Sequence, residues 1–184
     1  MKNPSRTQFA CLSALRVSPL SGYKIAETCN AWFSDFWSES YGQIYPTLKK
    51  LLLSEDIEKL PPEKGQRGDV YKITPKGLET LEAWLRLPAV PASFRDEYFL
   101  KFFGGSVVPV SVHLEHLARK RLQLDALLAS AQTALKTLEI VPHPDKDYWT
   151  LMARHGEISY RAELAWLDEA EKLLKTKQNQ ATNQ

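Results

Sequence analysis

The sequence predicts a mainly α fold in two parts. An N-terminal winged helix-turn-helix with a β-hairpin wing is followed by an antiparallel long-helix dimerisation domain. Three observations carry this. Apolar residues recur at helical spacing in three short segments before Ser54. Two short alternating segments then flank the polar, glycine-containing stretch PPEKGQRGD (61–69). Leu114, Leu117, Leu124, Leu128, Ala131, Leu135 and Leu138 fall at alternate steps of three and four with only Arg121 interrupting, the seam pattern of a coiled coil.

The chain has 184 residues, enough for one medium domain or two small ones with real cores. Its 43% hydrophobic and 25% charged content is that of an ordinary globular protein. No apolar run approaches the ~20 residues of a membrane span. MKNPSRTQFACLSALRV lacks the apolar core and cleavage site of a signal peptide, and Cys11 and Cys29 both sit in helical apolar settings. A cytoplasmic protein with reduced cysteines is therefore expected. The net charge is +2, carried by residues 1–86, while residues 87–184 are neutral. Nucleic-acid binding would have to come from local clusters of basic groups.

Residues 5–17 place Phe9, Leu12, Ala14, Leu15 and Val17 on one helical face, and Ser18-Pro19-Leu20 ends that helix. Ser21 is the expected cap of a second helix carrying Tyr23, Ile25, Ala26, Cys29, Trp32 and Phe33. Residues 34–39 form the turn. Trp32, Phe33, Phe36 and Trp37 cluster there, at least two of them as core or as cover for the dimerisation arm. The third helix runs from about Ser40 to Ser54, with Ile44, Leu48, Leu51 and Leu52 inward. Pro46 lies too deep in it to be a first-turn proline, so the opening turn is expected to be kinked there. Residues 56–60 and 70–73 alternate as two strands of a hairpin. Thr74-Pro75 then opens a fourth helix containing Leu78, Leu81, Trp84 and Leu85.

These elements make residues 1–86 the winged helix-turn-helix. Residues 87–108 read as a linker with a short helix at 95–103. Residues 109–175 hold two long helices, the second with a seam of Leu151, His155, Ile158, Ala162, Trp166 and Leu173. Leu122, Leu127, Trp149, Leu164 and Leu167 are left over for a partner, and the economical partner is a second copy of the chain. The polar tail 176–184 is expected to be disordered.

Five segments, in order, resemble the PadR family of bacterial transcription regulators. They are Pro19-Leu20-Ser21-Gly22-Tyr23, then Ser40-Tyr41-Gly42-Gln43-Ile44-Tyr45-Pro46-Thr47-Leu48. Arg67 with Tyr71-Lys72-Ile73-Thr74-Pro75-Lys76-Gly77 follows, then Arg95-Asp96-Glu97 with Leu100-Lys101-Phe102-Phe103. The last is Arg161-Ala162-Glu163-Leu164-Ala165-Trp166-Leu167. The resemblance implies a winged-helix homodimer on palindromic operator DNA, with Leu117, Leu124, Leu128, Leu135, Ile158 and Trp166 among its dimerisation residues. It also implies a repressor released by a small, aromatic or phenolic effector; an activator without ligand control is the alternative. The chain departs from the family in carrying Glu55-Asp56 where a glycine and a Leu or Ile are usual. The turn into the first wing strand is expected to differ accordingly.

In such a protein phosphate contacts position and base-edge contacts specify. The candidates for DNA are Ser40, Tyr41 and Gln43 at the head of the third helix, with Gln43 suited to a bidentate pair with adenine. Tyr45, Thr47 and Lys49 suit phosphates, as do the free N–H groups near Ser21 and Gly22. Lys64, Gln66 and Arg67 can reach from the wing into the flanking minor groove. Tyr148, Trp149, Arg154 and His155 are candidates to line an effector cavity between the two domains. Arg95 and Asp96 suit a structural ion pair or a cap. His143 and His155 lack companion ligands at metal spacing, and no nucleophile, phosphate-loop or metalloprotease motif is present. Neither a metal, a cofactor nor an enzyme is expected. A winged helix can also serve as a protein-interaction adaptor, but the polar head of the third helix argues against an apolar docking face.

Overall fold

The computed structural model describes residues 6–33, 40–61, 68–91 and 95–182. It divides into two compact units, Met1–Ala92 and Ser93–Gln184. The candidate wing residues Lys64, Gln66 and Arg67 lie outside the described residues, as do Phe36, Trp37 and the side chains of Trp32 and Phe33.

In the first unit the elements run α1 (Arg6–Val17), β1 (Leu20–Ser21), α2 (Gly22–Phe33), α3 (Tyr41–Leu53), β2 (Ile57–Leu60), β3 (Val70–Ile73) and α4 (Pro75–Leu85). The inward stripes meet in one core. Leu12, Leu15, Ile25, Ile44 and Leu48 are fully buried, with the buried thiols of Cys11 and Cys29 beside them. Each such aliphatic side chain stabilises the fold by about 1.5–3 kcal/mol. Phe9 closes one side by stacking on Trp84 of α4, centroids 4.4 Å apart. The antiparallel sheet has the order β1-β3-β2, with Ile57 opposite Ile73 and Leu60 opposite Val70. The hairpin was expected. The third strand, β1, was not: Leu20 pairs with Tyr71 and Ser21 with Val70.

The turn after α3 is built by hydrogen bonds, not by glycine. Glu55 N–H donates to the Leu52 carbonyl (3.1 Å) and Asp56 N–H to that of Leu51 (2.9 Å). This pair is the Schellman closure, which needs a left-handed residue at Glu55. Glu55 adopts φ 61°. The glutamate therefore takes the conformation a glycine would take, at a cost of about 1 kcal/mol.

Asp56 ties three elements together. Its buried carboxylate accepts from Ser54 Oγ (2.5 Å) and Thr80 Oγ1 (2.8 Å). Its carbonyl accepts from Thr74 N–H (3.0 Å). Thr74 caps α4 as expected, its hydroxyl accepting from Gly77 N–H at 3.1 Å. A Cβ on Gly77 would lie 2.0 Å from the Asp56 carbonyl oxygen, so the close approach of α4 to the wing strand requires glycine.

The second unit contains α5 (Glu97–Phe103), a 3-10 turn (Gly105–Val107), α6 (Val110–Glu139) and α7 (Lys146–Thr182). The expected short helix packs into this unit: Asp96 caps α5 by accepting from Tyr98 N–H (2.7 Å) and pairs with Lys120 (3.6 Å), and Tyr98 and Phe102 pack on the α6–α7 core. Two expectations need correcting. The polar tail is helical to Thr182, because its Lys, Gln, Ala and Thr residues contain no helix breaker. The inward face of α7 is also rotated from the expected seam. Tyr160, Leu164, Leu167, Ala170 and Leu174 face Leu117, Leu124, Leu128 and Ala131 of α6. Leu167 is fully buried, whereas Leu151, Ile158 and Leu173 are exposed, Ile158 by 61%.

Candidate nucleic-acid interface

Ile44, Thr47, Leu48 and Leu51 turn inward on α3, leaving Tyr41, Gly42, Gln43, Tyr45, Pro46, Lys49 and Lys50 exposed. The helix runs unbroken from Tyr41 to Leu53 with Pro46 inside it. Pro46 therefore neither ends nor splits α3.

What organises that head is side-chain contact. Gln43 sits three residues after Ser40, the helix cap, and its amide oxygen accepts from Ser40 N–H (3.1 Å) and Ser40 Oγ (3.0 Å). Tyr41 stacks on Tyr23 of α2, centroids 5.8 Å apart and rings 20° from parallel. Burial, and then the neighbouring Tyr23, pushes its phenol up from the ordinary value, so it stays neutral. The Tyr45 ring covers Gly22, where a Cβ would come within 2.8 Å of Tyr45 Cε1, yet Tyr45 remains 47% exposed. Gly22, expected to offer a free N–H to a phosphate, is thus also a packing glycine beneath an exposed tyrosine.

Two assignments change. Thr47 is only 6% exposed and its hydroxyl donates to the Gln43 carbonyl at 2.7 Å, so it is turned away from any phosphate. Ser21 lies in β1, and its Oγ accepts from Lys24 N–H (3.3 Å), so one N–H of the first turn of α2 is already satisfied. Lys49 and Lys50 stay exposed and form no ion pair among the described residues. At the base of the wing Lys59 pairs with Asp69 (2.6 Å), which leaves it less available to a phosphate.

The four effector candidates lie on the first turns of α7. Trp149 stacks on His143 (4.3 Å), Arg154 pairs with Glu157 (2.7 Å), and Tyr148 and His155 are exposed. Sequence reasoning missed a different place in the second unit. An open cleft of about 440 Å³ is lined by Asp96, Glu97, Tyr98, Lys101, His116, Arg119, Lys120 and Gln123. The Tyr98 hydroxyl and His116 Nδ1 are buried there and find no hydrogen-bond partner among the described residues. Burial, then Asp96 and Glu163, pushes the Tyr98 phenol up to about 12, so its O–H is held as a donor. Among the described residues no cluster of His, Cys, Asp and Glu could hold a metal, and no helix is long and apolar enough to cross a membrane.

Residues 11–83 match the Transcriptional regulator PadR-like family, and residues 94–175 match the Virulence activator alpha C-term family. The negative transcriptional regulator PadR of Bacillus subtilis (strain 168) is 28% identical over 148 residues, 77% of this chain and 81% of that protein. The crystal structure of Bacillus subtilis PadR in complex with operator DNA superposes with a TM-score of 0.78 at 26% identity, covering 92% of this chain and 99% of that one. The same protein in complex with p-coumaric acid gives a TM-score of 0.70 at 26% identity, over 95% and 99% of the two chains. Each unit thus has its family match, and the matches lie in the order of the chain: this chain belongs to the PadR-like family of transcriptional regulators.

Proposed function

We propose that the chain is a homodimeric repressor that binds a palindromic operator and is released by a small organic acid. The observation that carries the DNA reading is the head of α3. Tyr41, Gln43, Tyr45 and Lys49 are exposed on a helix whose other face is locked into the core, with the β2–β3 wing following it. A helix so presented fits the major groove, and a wing fits the flanking groove. Repression is supported by the relative named a negative transcriptional regulator. The dimer is supported by α7, where Tyr148, Leu151 and Ile158 lie at steps of three and seven and are all exposed. Two-fold symmetry then sets half-sites about one helical turn apart, ~34 Å or a multiple. Titrating fluorescent duplexes carrying the chain's own promoter and a scrambled control tests this directly. Equal weak binding of both at low salt would sink the reading.

The effector reading rests on the cleft around Tyr98. Its lining holds three cations, Lys101, Arg119 and Lys120, against two carboxylates, Asp96 and Glu97, together with the two unpartnered groups. That chemistry suits a small acid with a hydrogen-bond acceptor, and p-coumaric acid, bound by the Bacillus subtilis relative, is the first probe to use. Tyr98→Phe should leave DNA affinity intact and weaken release by p-coumarate about tenfold, the worth of one or two buried polar contacts. Unchanged release in the variant would remove the cleft from the account.

A further inference from the structure

At the head of α3, Tyr41, Gln43 and Tyr45 are each held against a neighbour, Tyr23, Ser40 and Gly22 in turn. The one whose chemistry is altered by this is Gln43. A glutamine reads adenine by accepting from N6 with its amide oxygen while donating to N7 with its amide nitrogen. Here the oxygen faces two donors, Ser40 N–H at 3.1 Å and Ser40 Oγ at 3.0 Å. A backbone N–H can only donate, which fixes which end of the amide points at Ser40. Both lone pairs of the oxygen are then used. The amide nitrogen faces away from that contact with two hydrogens, and neither meets an acceptor among the described residues.

We infer that Gln43 is a donor-only reader: it specifies a base that presents acceptors to the major groove, guanine first and thymine second, and gives no preference for adenine. Guanine offers O6 and N7 side by side, which the two amide hydrogens can reach together; thymine offers O4 alone. Reading adenine in bidentate fashion would strip Ser40 N–H and Oγ of their partner and open the helix cap, a loss of roughly fivefold on the usual worth of such a cap. Pro46 gives no escape, because the helix through it is unbroken and the cap stays in register with Gln43. The inference rests on the DNA-binding reading above and adds to it the identity of one base.

The test is selection of bound duplexes from a random library by the full chain, in parallel for the wild type, Gln43→Ala and Gln43→Glu. Gln43→Glu keeps an oxygen for Ser40 and replaces the donors with an acceptor, so it should favour cytosine, whose major-groove edge donates. Both variants change an exposed side chain, and circular dichroism checks that each folds. The expected result is one position per half-site that is guanine or thymine for the wild type, unselective for Gln43→Ala, and cytosine for Gln43→Glu, with about tenfold discrimination. Adenine at the Gln43-dependent position overturns the inference while leaving DNA binding standing. Identical motifs from all three proteins overturn it too, since Gln43 would then touch no base. Failure of the wild type to enrich any sequence sinks the DNA-binding reading and this inference with it.

Discussion

Gly77→Ala should destabilise the winged unit by roughly 2–4 kcal/mol, against the rule that alanine is the better helix former by about 1 kcal/mol. The new Cβ would sit 2.0 Å from the Asp56 carbonyl oxygen, 2.9 Å from its carbonyl carbon and 2.9 Å from Ile73 Cγ1. The first contact involves backbone, so no side chain can rotate to relieve it. Either α4 or the start of β2 must shift by about 1 Å, an overpacking strain of about 1–3 kcal/mol. That shift strips the Asp56 carbonyl of Thr74 N–H and pulls Thr80 from the Asp56 carboxylate. Each hydrogen bond contributes about 1 kcal/mol net. Urea unfolding followed by tryptophan fluorescence suits the case, because Trp84 of α4 is stacked on Phe9. A midpoint unchanged or raised in Gly77→Ala would refute the reasoning, since an ordinary exposed helix glycine behaves that way.

Glu55→Gly removes the penalty of a left-handed glutamate at φ 61° and should stabilise the chain by about 0.5–1 kcal/mol in the same denaturation assay. Gly22→Ala places a Cβ 2.8 Å from Tyr45 Cε1 and 3.2 Å from Leu48 Cδ1, so Tyr45 must move off α2. Operator affinity measured by anisotropy should fall several-fold while the fold is kept. The third concerns pH. Glu157 is buried and held below the usual carboxylate range by its hydrogen bond from Arg161 and then by Arg154. A carboxyl with a lowered folded-state pKa contributes stability that is fully present above its unfolded value of about 4.3 and lost as pH falls through the folded value. The wild type should therefore be more stable than Glu157→Gln at pH 7, and thermal unfolding should show that gap closing below about pH 4.

Elements with a repeating pattern or a cap were legible in the sequence. Thr74 caps α4, and Phe9, Leu12, Ala14, Leu15, Ile25, Ala26, Cys29, Ile44, Leu48 and Leu51 fall inward where the apolar spacing puts them, while Val17 and Tyr23 of the same stripes are exposed. The two-residue strand β1 was not, since Leu20-Ser21 is too short to alternate and exists only through its pairing with β3. On α7 the sequence carries two apolar stripes, one through Leu151 and Ile158 and one through Tyr160 and Leu167. Periodicity cannot say which faces α6, and the structure buries the second. At the DNA face the residue types were readable but their engagements were not. Thr47 falls on the inward face and back-bonds to Gln43, while Gln43 itself turns to its cap. The Tyr98 cleft was invisible because its lining comes from α5 and the middle of α6, some twenty residues apart, and reads in sequence as two ordinary charged helix faces.

The central claim is that the exposed head of α3 and the wing bind operator DNA as a two-fold pair. The most direct measurement is the salt dependence of affinity for a selected palindromic duplex and for a scrambled one. The account predicts specific binding at least 10³-fold tighter than scrambled at physiological salt. It also predicts that log K falls against log salt with a slope of about −0.9 for each phosphate neutralised, and that Lys49→Ala, which removes one such contact per half-site, makes the slope shallower by about two for the dimer. Equal affinity for the two duplexes, with a slope that Lys49→Ala leaves unchanged, would contradict it.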